Sequence, residues 1–579
     1  MKKNLLSLSI AALIGGLGVA GVANAGVAQL GTGAAFPAAT AAGFANLTNA
    51  TALGISPAGI GHILMVPYFT AQNGNATLLS VVNTDTKNGK AVKVRFRGAA
   101  NSDDLLDFQV FLSPGDVWTA NVAKGADGRS VLTTADNSCT QPAIPAAGVA
   151  FGTGRLPATF TAEQKAAQTL EGYVEIFNMA DVPPTYIDGV SRVYGTVAAG
   201  ATGASTTNAL FTATKHVAGT APCTGATLSA LQAVNAVTNE ASAVAFGLNT
   251  PTTGLTGGWA VVNVAGASVA WSGNSSALQA TIGAGGAAAS GRIVFSAQRA
   301  DAEVAANVNA LTNDPLLRVP ATGTPKVVAA LQDLPDLSTP YLTAAANPAP
   351  AAFSQAELVS GAIATRRVIN EYLTDSTISA ATDWVFSSPT RRYAVAMDYS
   401  NKDALGNTVF APLFTNSATF GTAATAASAF YTAANVTKGT GAEANLLCVQ
   451  PSTGSFSSFD RSEQQPAPGG VVFSPASVAP GVQFCGETSV LSFNAGGVAA
   501  ASVLGAAIAR KDVDATYNAG WATIATDGLV TATGAIAGPA TAAGAAAGLP
   551  VLGNAFLKAT GPVVAGKSTN FSITYGHRR

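Results

Sequence analysis

Short runs that alternate between apolar and polar residues are the feature that most constrains the fold, and they recur through residues 64–122. In residues 90–97 (KAVKVRFR) three basic side chains alternate with three apolar ones, a period of two that is typical of a β-strand. Asn73-Gly74 separates two further runs and predicts a hairpin, because both central residues of a type I′ turn adopt positive φ. We therefore predict an antiparallel meander with one face on a core and one face in water, as in a β-sandwich. The basic face carries Lys93, Arg95 and Arg97, and the apolar face carries Val92, Val94 and Phe96.

Outside this stretch the sequence predicts further strands and only a few helices. Thr161 with Gln164, and Ser354 with Glu357, have the spacing of helix capping boxes, and residues 301–311 are a third helix candidate. The predicted fold class is therefore mainly β, with antiparallel β-sandwich-like domains, few short helices and long Ala/Gly/Thr-rich loops. The further predicted strands are residues 107–112, 117–122, 172–178, 259–264, 268–271, 292–297, 384–387, 392–398, 471–473 and 489–494.

The first 25 residues have the pattern of a secretory signal peptide. Lys2 and Lys3 precede an apolar run over residues 5–22, and Ala23-Asn24-Ala25 provides the small residues of a cleavage site. After this run the sequence has no uninterrupted stretch of 18 or more apolar residues, so we predict no transmembrane helix. The pattern predicts a secreted protein.

Local composition divides the chain into five parts. The stretch after the signal peptide is rich in Ala and Gly and lacks sustained periodicity, and NPAPAA at residues 347–352 is typical of a linker. We predict a signal peptide at 1–25, an Ala/Gly-rich N-terminal arm at 26–58, one or more β-rich domains at 59–345, a Pro/Ala linker at 346–353 and a second β-rich domain at 354–579.

The chain has four cysteines: Cys139, Cys223, Cys448 and Cys485. An even number in an exported chain predicts two disulfides, for which three connectivities are possible. We favour Cys139–Cys223 with Cys448–Cys485, because each bridge then stays within one half of the chain. The four residues lack the clustered spacing of a zinc site.

Charge and motifs argue against nucleic-acid binding and against catalysis. The formal net charge of −1 provides no positive surface for phosphate, so we expect no nucleic-acid partner. Residues 561–568 (GPVVAGKS) match the Walker A pattern, but the eleven residues after them alternate as a strand and leave no room for the required helix. The chain has three histidines, His62, His216 and His577, and a Ser–His pair would have to form from residues distant in sequence. We predict that the protein is not an enzyme and has no cofactor, with calcium as the one candidate ion.

Three groups of acidic residues are candidates for binding that ion, since calcium takes carboxylate and carbonyl oxygens from loops. None follows a complete EF-hand loop or a glycine-rich calcium repeat. The alternative role is that of solvated turn residues or partners for Lys93, Arg95 and Arg97. The candidates are Asp103, Asp104, Asp398, Asp403, Asp512 and Asp514.

Residues 61–122 (GHILMVPYFTAQNGNATLLSVVNTDTKNGKAVKVRFRGAANSDDLLDFQVFLSPGDVWTANV) and 382–398 (TDWVFSSPTRRYAVAMD) resemble a group of uncharacterised secreted cell-surface proteins of Gram-negative bacteria. The composition also resembles that of surface-layer (S-layer) proteins, being rich in Ala, Gly, Thr, Val and Asn with little Met, Cys or His. The resemblance implies an extracellular location on the surface of a Gram-negative cell. It implies no catalytic residues.

Together these observations predict a secreted structural protein that assembles with copies of itself, as an S-layer-like lattice or a surface filament. With 48% hydrophobic and 11% charged residues, the chain permits close contacts between copies over wide surfaces. The outer-membrane surface or lipopolysaccharide is a further candidate partner. The alternatives are a surface adhesin or glycan-binding module and, after it, an outer-membrane β-barrel pore.

Overall fold

The computed structural model describes the chain from Thr48 to Arg579 with gaps. The described residues are 48–187, 193–194, 205–223, 225–233, 237, 240–263, 269–298, 317–318, 326–327, 335–339, 341–343, 352–399, 403–407, 409–414, 430–433, 435–449, 456–462, 482–495, 502–515, 517–526, 548–564 and 567–579. The predicted signal peptide, helix 301–311 and strand 471–473 lie outside them, as do all but the last eleven residues of the predicted arm.

Strands dominate the described chain, which confirms the predicted mainly β class. The strands up to residue 327 are β1 (Ala52–Ile55), β2 (Ile63–Thr70), β3 (Asn75–Asn83), β4 (Gly89–Gly98), β5 (Asp104–Leu112), β6 (Val117–Lys124), β7 (Ser130–Thr133), β8 (Cys139–Gln141), β9 (Val149–Ala150), β10 (Glu171–Val182), β11 (Thr185–Ile187), β12 (Val193–Tyr194), β13 (Ser205–Thr207), β14 (Leu255–Asn263), β15 (Val269–Asn274), β16 (Ser276–Thr281), β17 (Leu317–Arg318) and β18 (Lys326–Val327). The later strands are β19 (Ala364–Thr365), β20 (Arg367–Leu373), β21 (Ala381–Ser387), β22 (Val395–Asp398), β23 (Ala411–Phe414), β24 (Val436–Lys438), β25 (Leu447–Val449), β26 (Phe456–Asp460), β27 (Phe484–Cys485), β28 (Thr488–Ala495), β29 (Arg510–Ala515), β30 (Ala519–Ala525), β31 (Leu549–Pro550), β32 (Leu552–Val564) and β33 (Lys567–Gly576).

The described helices are short, and one of them begins where the sequence predicts, whereas Ser354 lies inside its helix and not at the predicted N-cap position. Thr161 and Gln164 form the predicted capping box at the start of α1, each side chain accepting from the backbone of the other. The helix predicted near Ser354 begins at Ala352 and ends at Ile363, short of the predicted end near Arg367, because Arg367 already belongs to β20. The helices are α1 (Ala162–Gln168), α2 (Ala209–Thr214), α3 (Ala226–Leu231), α4 (Glu240–Ala245) and α5 (Ala352–Ile363); short 3-10 helices span Gln72–Gly74, Ser376–Ile378, Arg391–Tyr393 and Gly441–Glu443.

Two antiparallel sheets of the first segment face each other as a sandwich. The seven-stranded sheet has the order β1-β16-β2-β10-β4-β5-β8, and the six-stranded sheet has the order β15-β14-β3-β6-β7-β9. Apolar side chains from both sheets, such as Val94 and Phe96 on β4 and Leu79 on β3, fill one core. Alternation along each strand turns the other set of side chains away from this core.

The prediction of a meander from residue 64 to residue 122 is wrong. Asn73 and Gly74 have the predicted positive φ of 51° and 76°, but β2 and β3 do not pair with each other. The turn instead carries the chain across the core from one sheet to the other. Thr77 marks this corner, since its hydroxyl donates to Thr70 O and accepts from Thr70 N. Dipeptide chemistry fixes the turn residues, whereas sheet membership depends on contacts distant in sequence.

A third large sheet, of five strands in the order β29-β28-β21-β32-β33, packs against the sandwich. Its residues Val385, Val490 and Phe556 belong to the same core cluster as the sandwich strands. The indole Nε1 of Trp271 on β15 donates to Leu557 O on β32 at 2.9 Å. The segments on either side of residues 346–353 therefore share a hydrophobic core.

Residues 292–297 are not a strand, contrary to the sequence pattern. They lie over the outer face of the seven-stranded sheet, where Val294 N donates to Met179 O and the side chain of Gln109 donates to Ser296 O. Because they lie across that face, they cannot form the ladder of a neighbouring strand.

Both disulfides have the connectivity that the sequence favours. Cys139 on β8 is bonded to Cys223, and Cys448 on β25 to Cys485 on β27, directly opposite it in a three-stranded sheet. No cysteine is free. Disulfides persist in non-reducing compartments, so the protein belongs in such an environment.

Candidate functional site

The basic face of β4 is buried, and the prediction that it faces water is wrong. Lys93, Arg95 and Arg97 are at most 1% exposed. Lys93 Nζ lies 2.5 Å from Asp107 Oδ1, and Arg95 Nη1 lies 2.6 Å from Asp104 Oδ2. Asp104 is one of the calcium candidates, and the structure shows it in the alternative role of a partner for this basic face. The alternation of the sequence identified the basic face of β4. It could not identify the residues that pack over this face, because they are distant in sequence.

Residues of the second segment, which follows residues 346–353, pack beside this face. Arg392 Nη1 donates to Ser102 O at 2.5 Å, and Arg391 lies 2.7 Å from Glu487, with both side chains of this pair at most 1% exposed. Glu487 N also donates to Ala99 O. Charges and backbone of both segments are therefore joined in a water-excluded layer.

Burial changes the acid–base behaviour of this layer. Desolvation raises the pKa of Glu175 on β10 and of Glu487, although Arg97 and Arg391 oppose the change for their respective partners. Arg97 Nε lies 3.6 Å from Glu175 Oε2. Glu175 was not singled out from the sequence. Its position as the one charged residue in the apolar strand GYVEIFN could have indicated a buried charge. The layer is enclosed, so we interpret it as a structural joint between the segments.

The calcium candidates are spread over several places. Asp103 accepts from the hydroxyl of Tyr399 at 2.8 Å, and Asp398 is buried on β22. Asp403 closes its own turn by accepting from the backbone of Leu405 and Asn407. Asp104 pairs with Arg95, Asp512 pairs with Arg510, and Asp514 is exposed on β29.

Within the described ranges one group of three potential metal ligands lies close together, and it is unrelated to these acids. It consists of Glu443, Cys448 and Cys485. The two sulfur atoms are bonded to each other, so neither is the thiolate that a metal requires.

A Ser–His–Asp cluster lies beside the first disulfide, but its geometry is not that of a catalytic triad. Ser113 Oγ is 2.6 Å and Asp116 Oδ2 is 3.2 Å from the same atom, Nδ1 of His216. A triad needs the serine and the carboxylate on opposite ring nitrogens, so that one accepts a proton while the other orients the ring. Here the serine and the aspartate belong to one turn, and His216 attaches its own segment to that turn.

Of the other two histidines, His62 is buried and His577 is half-buried. His62 accepts a hydrogen bond at Nδ1 from Ala280 N, and burial lowers the pKa of its imidazole to about 3. His577 stacks on Phe386, and its Nε2 lies 2.9 Å from Val385 O. Burial lowers the pKa of His577 to about 3 as well. Both histidines are neutral packing residues at neutral pH.

The Walker A pattern lies in a β-hairpin. Gly561 is inside β32 and Lys567 begins β33, and the two strands pair antiparallel as far as Val564 opposite Lys567. No helix follows the pattern, so its backbone N–H groups do not form a phosphate cradle.

This hairpin places an open strand at the edge of the five-stranded sheet. β33 has 10 residues, more than any other edge strand of the described sheets. None of its described residues 569–576 is buried, and Phe571 and Ile573 are 60% and 47% exposed. Val563 near the hairpin tip is 66% exposed. The sequence showed the alternation of this strand, but an edge position follows from strand order, which no local pattern encodes.

The opposite face of β33 is held by the sandwich. Ser572 Oγ donates to Ala270 O and accepts from Ala270 N on β15. Side chains alternate, so Ser572 and the apolar pair Phe571 and Ile573 project from opposite faces. The edge strand is therefore supported on one face and presents apolar side chains on the other.

In comparisons with protein-family models, curated proteins and solved structures, nothing matches the chain. Among the described residues, none of the helices combines the length and apolar character needed to cross a membrane.

Proposed function

We propose that this chain is a secreted structural protein of the Gram-negative cell surface that assembles with copies of itself through contacts between β-sheets. The observation that carries the proposal is the exposed apolar face of the edge strand β33. Exposed apolar side chains on an open edge favour association with another chain, because pairing buries them and satisfies unpaired backbone groups.

Rigidity of the unit supports this proposal. The shared core and the bonds of the charged layer hold the three large sheets together, and the two disulfides fix shorter segments. An ordered array requires subunits with a defined shape, since each contact must recur with the same geometry. Low charge on the chain also reduces repulsion between neighbouring copies.

The location is supported by the signal-peptide pattern and by the disulfides, which form outside the reducing cytosol. The outer cell surface is where a secreted structural protein meets many copies of itself at high local concentration.

Sedimentation velocity and negative-stain imaging of the mature protein test the proposal. We expect dimers and larger species that increase with concentration, and ordered sheets or fibres in sheared cell-surface material, with and without added calcium. A protein that remains monomeric at millimolar concentration, and whose cell-surface fraction shows no order, would contradict it. Glycan binding by that monomer would instead support an adhesin.

A further inference from the structure

The open edge has properties that select a specific partner. Between Ser568 and Gly576, β33 contains no charged residue and no proline, the two devices by which natural edge strands avoid pairing. The bulge of this hairpin lies between Thr560 and Val563 on the inner strand and does not interrupt the outer one. The outer edge ends before Tyr575, because Asn370 on β20 donates to Tyr575 O and Gly576 O and its neighbour Ile369 pairs with Arg578. The edge is therefore compatible with a regular antiparallel ladder.

We propose that two copies of the chain pair β33 with β33, antiparallel, about a two-fold axis that passes through Ser572 perpendicular to the sheet. The pairing joins two five-stranded sheets into one continuous sheet of ten. It rests on the proposed self-assembly and names the contact through which that assembly begins.

The register follows from the side chains. An axis perpendicular to the sheet keeps the apolar faces of both copies on one side, which requires odd positions to pair with odd positions. With the axis at Ser572, Phe571 of each copy lies opposite Ile573 of the other, an aromatic pair with a β-branched residue that sheets favour. Both exposed apolar side chains of each edge are then covered.

Neighbouring registers are worse. An axis at Ile573 places Asn570 opposite Gly576 of the second copy, and the Gly576 carbonyl already accepts a hydrogen bond from Asn370 on β20. An axis at Phe571 leaves Ile573 opposite Thr569, so one apolar contact is lost. With the axis at Ser572, Asn570 lies opposite Thr574 of the second copy, so the pairing is centred before Tyr575, where the contacts with β20 begin.

The contact is isologous, so it closes after two copies. The resulting dimer is the unit from which a lattice or filament would grow through a second, different contact.

Cysteine cross-linking tests the register. In Ser572→Cys the two introduced residues face each other across the axis with Cα atoms about 4.5–5.5 Å apart, within disulfide range. The four natural cysteines form two disulfides and leave no thiol to compete. We expect mild oxidation to convert most of this variant to a covalent dimer. In the control Thr569→Cys the introduced residues are six positions apart along the ladder, about 20 Å, and should give little dimer.

A second experiment disrupts the proposed contact between the two β33 strands. Phe571→Lys places two lysines beside the axis, and we expect at least a tenfold rise in the dimer dissociation constant measured by sedimentation. Leu405→Lys, at a residue that is 86% exposed in a distant turn, should leave the constant unchanged. Circular dichroism melts verify that every variant is folded.

The outcomes separate the two proposals. Wild-type assembly combined with equal cross-linking of both cysteine variants, or with unchanged assembly of Phe571→Lys, overturns the β33 contact and leaves self-assembly standing. A wild-type protein that never associates overturns both.

Discussion

The two edges of the five-stranded sheet are built from opposite kinds of sequence. β29 at one edge has four charged residues among six, and Arg510 and Asp512 form an exposed ion pair at 2.7 Å. β33 at the other edge has no charge from Ser568 to Gly576 and exposes Phe571 and Ile573. Both edges belong to one sheet and are held by the same kind of ladder. The difference between them therefore concerns the surroundings of each edge, which are water or a second chain.

Charge on an edge opposes pairing, since a second strand would have to desolvate it. β29 is therefore a terminated edge and β33 an open one. A sheet with one terminated and one open edge pairs once and stops, which matches an isologous dimer. Changes at the two edges should then have different consequences.

The largest expected effect comes from removing the anchor of the open edge. Phe556 on β32 is fully buried and contacts the rings of Tyr68, Trp259 and Trp271. Phe556→Ala should lower the free energy of unfolding by about 3–5 kcal/mol, because it removes apolar contacts and leaves a cavity. The matched change at the terminated edge, Val513→Ala, should cost about 1–2 kcal/mol. Urea denaturation measures both, and equal costs would show that the two edges are anchored alike.

The next effect concerns the histidine that ends the open edge. Burial lowers the pKa of His577 to about 3, while the unfolded chain titrates near 6.5. Above pH 6.5 both states are neutral, so the residue contributes no pH dependence. Below it the unfolded chain binds a proton that the folded chain excludes, and stability falls until about pH 3. Between pH 6.5 and 5 this loss is about 2 kcal/mol.

His577→Gln should remove that share of the acid sensitivity. Denaturation at pH 7.5 and 5 measures the slope, and the variant should lose less stability on acidification than the wild type does. A slope unchanged by the substitution would mean that His577 is protonated in the folded protein.

Sequence reasoning predicted the strands well, and it predicted their partners poorly. The alternation of β4 gave its two faces correctly, but Lys93, Arg95 and Arg97 are buried because residues distant in sequence lie over that face, such as Gln298, which accepts from Lys93. Asn73 and Gly74 have the predicted backbone angles in a turn that joins different sheets. Local sequence patterns determine backbone angles and the alternation of side chains. The order of strands in a sheet, the residues that pack over each face and the edge position of β33 depend on contacts between residues distant in sequence.

Opening the terminated edge gives the third prediction. In Asp512→Val combined with Asp514→Val, two exposed charges of β29 become β-branched apolar residues. The second half of this edge, from residue 512 to 515, then carries no charge, and we expect association to strengthen about tenfold, or ~1.4 kcal/mol, with species larger than dimers. Light scattering against concentration detects them. Species no larger than those of the wild type would show that charge is not what closes this edge.

The smallest effect should come from the ion pair on the terminated edge. The side chains of Arg510 and Asp512 are 28% and 41% exposed, so water screens the pair and its contribution to stability is about 0–1 kcal/mol. Arg391→Gln, by contrast, leaves Glu487 buried without its partner and should cost about 3–5 kcal/mol. Arg510→Gln should therefore leave the denaturation midpoint nearly unchanged while Arg391→Gln lowers it clearly. If both changes cost the same, the charges of β29 would be structural, and their role in blocking a second strand would lose its support.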